Sequence, residues 1–150
     1  TATKIMTDHD PLSTLKTSNK LINIIAMREA EIVEAHEAIM LNGQGNVTET
    51  SSSNLFAIHG KKLTTPPISS GCLSGITRRY VLELAGEKGI KTAEEDLHYE
   101  QLKSCEGVFL TNSVREIQPV KSLDGNIISQ SAITPELQKI YRQRVTAATK

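Results

Sequence analysis

Apolar positions in this chain change period several times, and each change marks an element. In "KTSNKLINIIAMREAEIVEA" the residues Leu21, Ile22, Ile24, Ile25 and Met27 cluster at helical spacing before charged residues take over. The pattern predicts a helix capped by Ser18 or Asn19, with a wide buried face. "EAIMLN" then reads as a short strand, "NGQG" supplies residues that tolerate positive φ, and "NVTET" returns as the second arm of a hairpin. "NLFAIHGKKLTTP" is a second hairpin turning at Gly60, and the four strands are expected to run on as one meander. Pro66 and Pro67 end it.

"ISSGCLSGIT" reads as a loop feeding the helix "RRYVLELAGEKG", which Gly89 closes in a left-handed cap. "IKTAEEDL" predicts a strand leading to a short helix in "HYEQLKSC", and "GVFLTNS" is an apolar strand ending in three small polar residues. "EIQPVKSLDGN" gives a hairpin at Asp124-Gly125. In "TPELQKIYRQRV", Thr134 is the expected cap and Pro135 takes the first helical position. Leu137, Ile140, Tyr141 and Val145 make the stripe of that last helix. Strands and helices alternate without an internal repeat, which predicts a mixed α/β domain around one curved sheet, flanked by helices.

Length and charge narrow the function classes. With 150 residues, 38% hydrophobic and 23% charged, the chain is large enough for one globular domain with a real core. Seventeen basic residues balance seventeen acidic ones with no long run of either sign. That argues against a nucleic-acid footprint or an anionic membrane surface. Aromatics at 3%, with no Trp, remove the platforms on which bases stack. No apolar run approaches the roughly 20 residues of a membrane span, and no signal-peptide pattern is visible. Cys72 and Cys105 lie far apart with no C-x-x-C pair, so reduced cysteines in a cytoplasmic protein are expected. His9, His36, His59 and His98 show no metal-ligand spacing. The opening "TATKIMT" reads like the tail of a strand. Residues 1–14 are therefore expected to be an interdomain segment or the end of a preceding domain.

Three features carry candidate chemistry. Lys16 sits between turn-forming residues and the start of an apolar helix, where it belongs either to solvent or to a site. "GIT" (Gly75 to Thr77) opens a helix, and a helix start offers free backbone N–H groups and the positive end of the dipole. It is either an ordinary cap or a phosphate cradle, with the Thr77 hydroxyl as one more donor. Glu49 stands where a strand gives way to "SSS". It is either solvated or the partner of a protonated ring nitrogen. Arg78 and Arg79 are expected on a solvated helix face. Arg115, beside the "TNS" loop, either meets a substrate carboxylate or points outward.

"LKTSNKL", "EAIMLNGQGNVTETSSSNLF", "LTTPPISSGCLSGITRR" and "VFLTNSVREIQPV" occur in one colinear order from about Leu15 to about Gly125. Together they resemble the class IV aminotransferases, the fold-type-IV pyridoxal-phosphate enzymes, a family that includes branched-chain aminotransferases, D-amino-acid aminotransferases and aminodeoxychorismate lyases. The resemblance implies that residues 15–150 form the larger, cofactor-binding domain and that the cofactor is pyridoxal 5'-phosphate. Lys16 matches the lysine that carries the cofactor covalently and shuttles protons. Glu49 matches the acid that keeps the pyridine nitrogen protonated. Leu73 matches a residue packed on the ring, Ile76 and Thr77 the phosphate cradle, and Ser113 a second phosphate contact. An ordinary lysine amine, with a pKa of about 10.4, is mostly protonated at neutral pH and must be desolvated or already condensed to react.

The family's branches differ around these residues. Branched-chain enzymes commonly place a Tyr five residues after the lysine and "GEN" after the glutamate, where this chain has Leu21 and "SSN". "SSSNLF" looks like the D-amino-acid enzymes, although Thr50 replaces their usual Gly. Aminodeoxychorismate lyases vary at that Gly, and "TNSVREIQPV" resembles their strand end. The resemblance therefore leans to a lyase that releases pyruvate and 4-aminobenzoate for folate synthesis, with aminotransfer as the alternative. It also implies a small amino substrate, a homodimer, and a smaller N-terminal domain that contributes an arginine to the phosphate site. Nothing in this chain resembles that domain. A binding module that keeps the fold without the chemistry is the rival from another class, and the presence of both Lys16 and Glu49 speaks against it.

Overall fold

The two hairpins that adjoin in the sequence end up in different sheets. The computed structural model describes residues 2–4 and 15–148. Strand β1 (Ala2–Lys4) runs parallel to β2 (Ile39–Leu41), which pairs antiparallel with β3 (Val47–Thr50). The second hairpin, β4 (Asn54–His59) and β5 (Lys62–Thr65), belongs instead to a five-stranded sheet. That sheet also contains β6 (Lys91–Glu94), β7 (Gly107–Asn112) and β8 (Glu116–Pro119), in the order β6-β5-β4-β7-β8. A small ribbon of β9 (Ser122–Leu123) and β10 (Asn126–Ile127) completes the strands.

The expected single meander breaks at the serines. Thr50 N and Thr50 Oγ1 both donate to Ser53 O, at 2.7 and 3.0 Å, and Ser53 N donates back to Thr50 Oγ1 at 3.1 Å. Polar groups that would have continued a ladder are consumed within one tight turn, so β4 leaves the sheet of β3.

Both faces of the five-stranded sheet are covered, and β4 accordingly reads as a nearly continuous apolar run. On one face Phe56, Ile58, Phe109 and Ile117 pack against α2 (Ile76–Glu87) and α4 (Ile133–Ala148) through Val81, Leu84 and Leu137. The rings of Phe56 and Phe109 stack 4.9 Å apart. On the other face Leu55, Ala57, Val108 and Leu110 meet Ile39 and Val47 of the smaller sheet and Leu102 of α3 (Tyr99–Lys103). Among the described residues no helix is long and apolar enough to cross a membrane.

Turn chemistry follows the sequence closely. Gly60 and Gly89 adopt positive φ of 59° and 70°, and Asp124 and Gly125 form the last hairpin at 48° and 78°. Helix ends depart from expectation. Helix α1 (Leu21–Ile32) follows Lys20 with no side-chain cap, so neither Ser18 nor Asn19 plays that part. Thr134 lies inside α4, and the Ser131 hydroxyl accepts from Ile133 N at 3.4 Å in its place.

The wide buried face expected of α1 is also absent. Leu21, Ile22, Ile24 and Ile25 are 62, 41, 56 and 48% exposed, and burial falls to Ala26 and Ala30, against Ala38 and Met40. Ala26 and Ala30, one turn apart, carry the small contact with Ala38 and Met40, while the bulky residues of α1 project away from it. Arg78 is a further correction. Rather than facing solvent it is 3% exposed, and its Nη2 donates to Pro66 O at 2.9 Å and to Glu94 Oε2 at 2.5 Å. Only Arg79 is solvated, with Glu83 3.9 Å away.

Candidate active site

The break between the two sheets opens a cleft of about 580 Å³. Lys16, Glu49, Leu73, Ile76, Thr77 and Ser113 all line it. Six residues singled out from four separate segments of sequence thus converge on one cavity.

Glu49 comes from β3, whose residues are buried throughout. Its Oε2 accepts from Leu73 N at 3.0 Å and from Asn54 Nδ2 at 3.3 Å. Burial pushes its carboxyl from the ordinary 4.5 up to about 7, against the downward pull of the Leu73 amide and the Lys20 charge. Near neutrality the acid is poised to give or hold a proton, and a cation set against it would draw it to the ionised form.

Opposite, α2 begins at Gly75, an extended N-cap residue (φ −66°, ψ 138°) that provides no side-chain cap. The first amides of such a helix have no intrahelical acceptor and point outward. Thr77 is 3% exposed on the first turn, and Ile76 is exposed at the mouth. A Cβ at 75 would collide with Asn54 Oδ1, so any larger residue there must displace the Asn54 side chain. Lys16 is exposed on the rim, in the segment before α1, and Ser113 is exposed just beyond β7. Leu73 is half-buried between the acid and the helix start.

Several participants escape a reading of the sequence. Asn54 heads the apolar strand β4, and a buried polar residue in such a run is itself the signal that partners must exist. Thr111 lies opposite Asn54 in the β4–β7 register, is 1% exposed on the cleft wall, and its Oγ1 has no hydrogen-bond partner among the described residues. Glu37 accepts from Ser51 Oγ at 2.5 Å, from Ser52 N at 3.1 Å, and from Ser52 Oγ. It thereby pins the serine turn that forms one lip. Asn112 Oδ1 accepts from Val114 N and Arg115 N at 3.0 and 2.7 Å, which fixes the loop carrying Ser113. Arg115 lies outside the cleft lining, with its Nη1 3.5 Å from Glu37 Oε1. Of the histidines, His9 lies outside the described residues.

An uncapped helix start, a buried hydroxyl without a partner, a buried acid and a lysine facing one cavity suit a ligand with an anionic end and a protonatable ring. The profile of the family described as amino-transferase class IV matches residues 1–123. The chain belongs to the class IV aminotransferase family.

Among its relatives, the D-alanine aminotransferase of Bacillus licheniformis is 35% identical over 90% of this chain and 48% of its own length. Of the solved structures, a Legionella pneumophila protein described as a candidate 4-amino-4-deoxychorismate lyase is 34% identical. It superposes with a TM-score of 0.90 over 95% of this chain and 55% of its own. The branched-chain aminotransferase of Thermobaculum terrenum in its PLP form is 29% identical, with a TM-score of 0.89 over 96% of this chain and 50% of its own. The chain spans about half the length of the curated relatives it matches.

Proposed function

We propose that residues 15–150 form the pyridoxal-phosphate-binding domain of an enzyme acting on a small primary amine, with residues 1–14 leading into it. The observation that carries this reading is Glu49, a buried carboxyl held by the Leu73 amide and opening on the same cleft as Lys16 and the start of α2. Pyridoxal phosphate, when bound, supplies a ring that draws electrons from the bonds around the substrate nitrogen. The amides of Ile76 and Thr77, the Thr77 hydroxyl and the Ser113 hydroxyl hold the phosphate. Leu73 packs on the ring, and the Glu49 carboxylate keeps a proton on the ring nitrogen. Lys16 Nζ anchors the cofactor, then takes a proton from the substrate and returns it.

For the reaction itself, Thr50 and the Thr111–Ser113 strand end support the lyase, which cleaves 4-amino-4-deoxychorismate to pyruvate and 4-aminobenzoate. The likeness to the Legionella protein supports it too. Amino-group transfer is the second reading, supported by the names of the curated relatives, which are branched-chain and D-alanine aminotransferases.

Borohydride reduction of the protein with its cofactor, followed by peptide mapping, should place a pyridoxyl group on Lys16. An adduct on another lysine ends that assignment. Supplied with aminodeoxychorismate, the enzyme should release pyruvate without any keto-acid acceptor. Turnover that requires an acceptor, with D-alanine or a branched-chain amino acid as donor, replaces the lyase with the aminotransferase. A full-length, cofactor-loaded protein that turns over no primary amine at all is a binding module.

A further inference from the structure

The Asn54 side chain touches three pieces of the cleft wall. It heads β4 in the five-stranded sheet, and its Nδ2 donates to Glu49 Oε2 in the smaller sheet at 3.3 Å. The same nitrogen donates to Leu73 O, on the approach to α2, at 2.8 Å. Its Oδ1 sits against Gly75, filling the space that a Cβ there would need. The side chain is 7% exposed and is anchored in the ladder through its register with Thr111.

Both donors to Glu49, from Leu73 and from Asn54, converge on Oε2. Oε1 carries no hydrogen bond among the described residues, so the second oxygen is the one left for the cleft. We propose that Asn54 is a positioning residue that locks the Glu49 carboxyl and the start of α2 into one unit, fixing the spacing between the ring-nitrogen acid and the anion cradle. A carboxyl free to rotate, or a helix start free to slide, would spoil the distance between the two ends of a rigid ligand. Asn54 removes both freedoms with one planar amide. The interpretation of that spacing rests on the pyridoxal-phosphate reading above; the lock itself does not. Besides Glu49, the charged residues lining the cleft are Lys16 and Lys20, both from the α1 side.

The test is the titration of the Glu49 carboxyl in the cofactor-free protein, followed by carbon NMR of labelled glutamate, in the parent and in Asn54→Ala and Asn54→Ser. Loss of the amide donor should raise proton affinity about 3- to 10-fold in Asn54→Ala, since a hydrogen bond to the ionised form is gone. Asn54→Ser, which keeps a small donor, should fall between Asn54→Ala and the parent. A residue that only fills space would lower the melting temperature and leave the titration where it was, and that result in either folded variant overturns the proposal. With cofactor added, Asn54→Ala should weaken protonation of a 15N-labelled ring nitrogen while Lys16 still takes the pyridoxyl group. If the parent takes no pyridoxyl group but its titration still shifts in the variants, the lock stands and the cofactor reading falls.

Discussion

The backbone nitrogen of Leu73 lies 3.0 Å from Glu49 Oε2, across 24 residues of chain. That contact ties the smaller sheet to the start of α2 and partly offsets the burial that raises the Glu49 carboxyl to about 7.

A buried acid whose pKa rises on folding binds more protons in the native state than in the unfolded chain between the two values. Stability attributable to Glu49 is therefore full below its ordinary 4.5 and is lost as pH climbs to about 7. The shift corresponds to about 3 kcal/mol as an order of magnitude. Urea unfolding of the cofactor-free protein from pH 4.5 to 7.5 should show a decline with rising pH that Glu49→Gln removes. A parent and variant with parallel profiles would mean that the carboxyl is solvated.

Glu49→Gln should also separate binding from chemistry. On the proposed reading the phosphate contacts carry most of the cofactor binding, so affinity should change little, whereas turnover should drop by about 100-fold or more once the proposed anionic partner of the ring nitrogen is gone. Cofactor titration beside steady-state kinetics of the whole enzyme checks both, and near-normal turnover contradicts the role.

Gly75→Ala should destabilise the fold by about 1–3 kcal/mol, because the new methyl enters the volume of Asn54 Oδ1. Combining it with Asn54→Ala clears the space. The double variant should then be more stable than the sum of the single losses allows, and strict additivity in denaturant midpoints would show that the two residues do not meet.

Arg78 straps the first turn of α2 to the carbonyl of Pro66 and to Glu94. Glu94 is half in solvent, at 49% side-chain exposure, whereas Arg78 is at 4%. Arg78→Ala, which leaves a cavity and strips the Pro66 carbonyl of its guanidinium donor, should cost about 2–4 kcal/mol. Glu94→Gln, on the wet side of the pair, should cost under about 1 kcal/mol. Equal losses in thermal unfolding would contradict this asymmetry.

Elements whose signals are local were legible in the sequence. Gly60, Gly89 and Asp124-Gly125 take the left-handed conformations their residue types announce, and the apolar strand "GVFL" lies inside the sheet between β4 and β8. Lys16, Glu49 and the Gly75–Thr77 helix start were legible as types of group, and the cleft brings them together. What stayed hidden depends on partners distant in sequence. The sheet break at Ser51–Ser53 turns on side-chain hydrogen bonds that compete with a ladder, which strand patterning does not register. Arg78 read as a surface cation because its acceptors, Pro66 O and Glu94, lie 12 and 16 residues away. Helix α1 misled for a different reason. Its isoleucines report hydrophobicity without saying which face is used, and the two alanines that make the contact carry little of that signal.

Those isoleucines have a practical consequence. With Leu21, Ile22, Ile25 and Ile32 open to solvent, the native chain already offers an aliphatic surface to any fluorescent dye or resin that seeks one. Bright anilinonaphthalene fluorescence or strong retention on a phenyl column is thus the expected behaviour of the folded chain. Neither signal, taken alone, measures unfolding here; near-ultraviolet dichroism of the stacked Phe56–Phe109 pair reads the core instead.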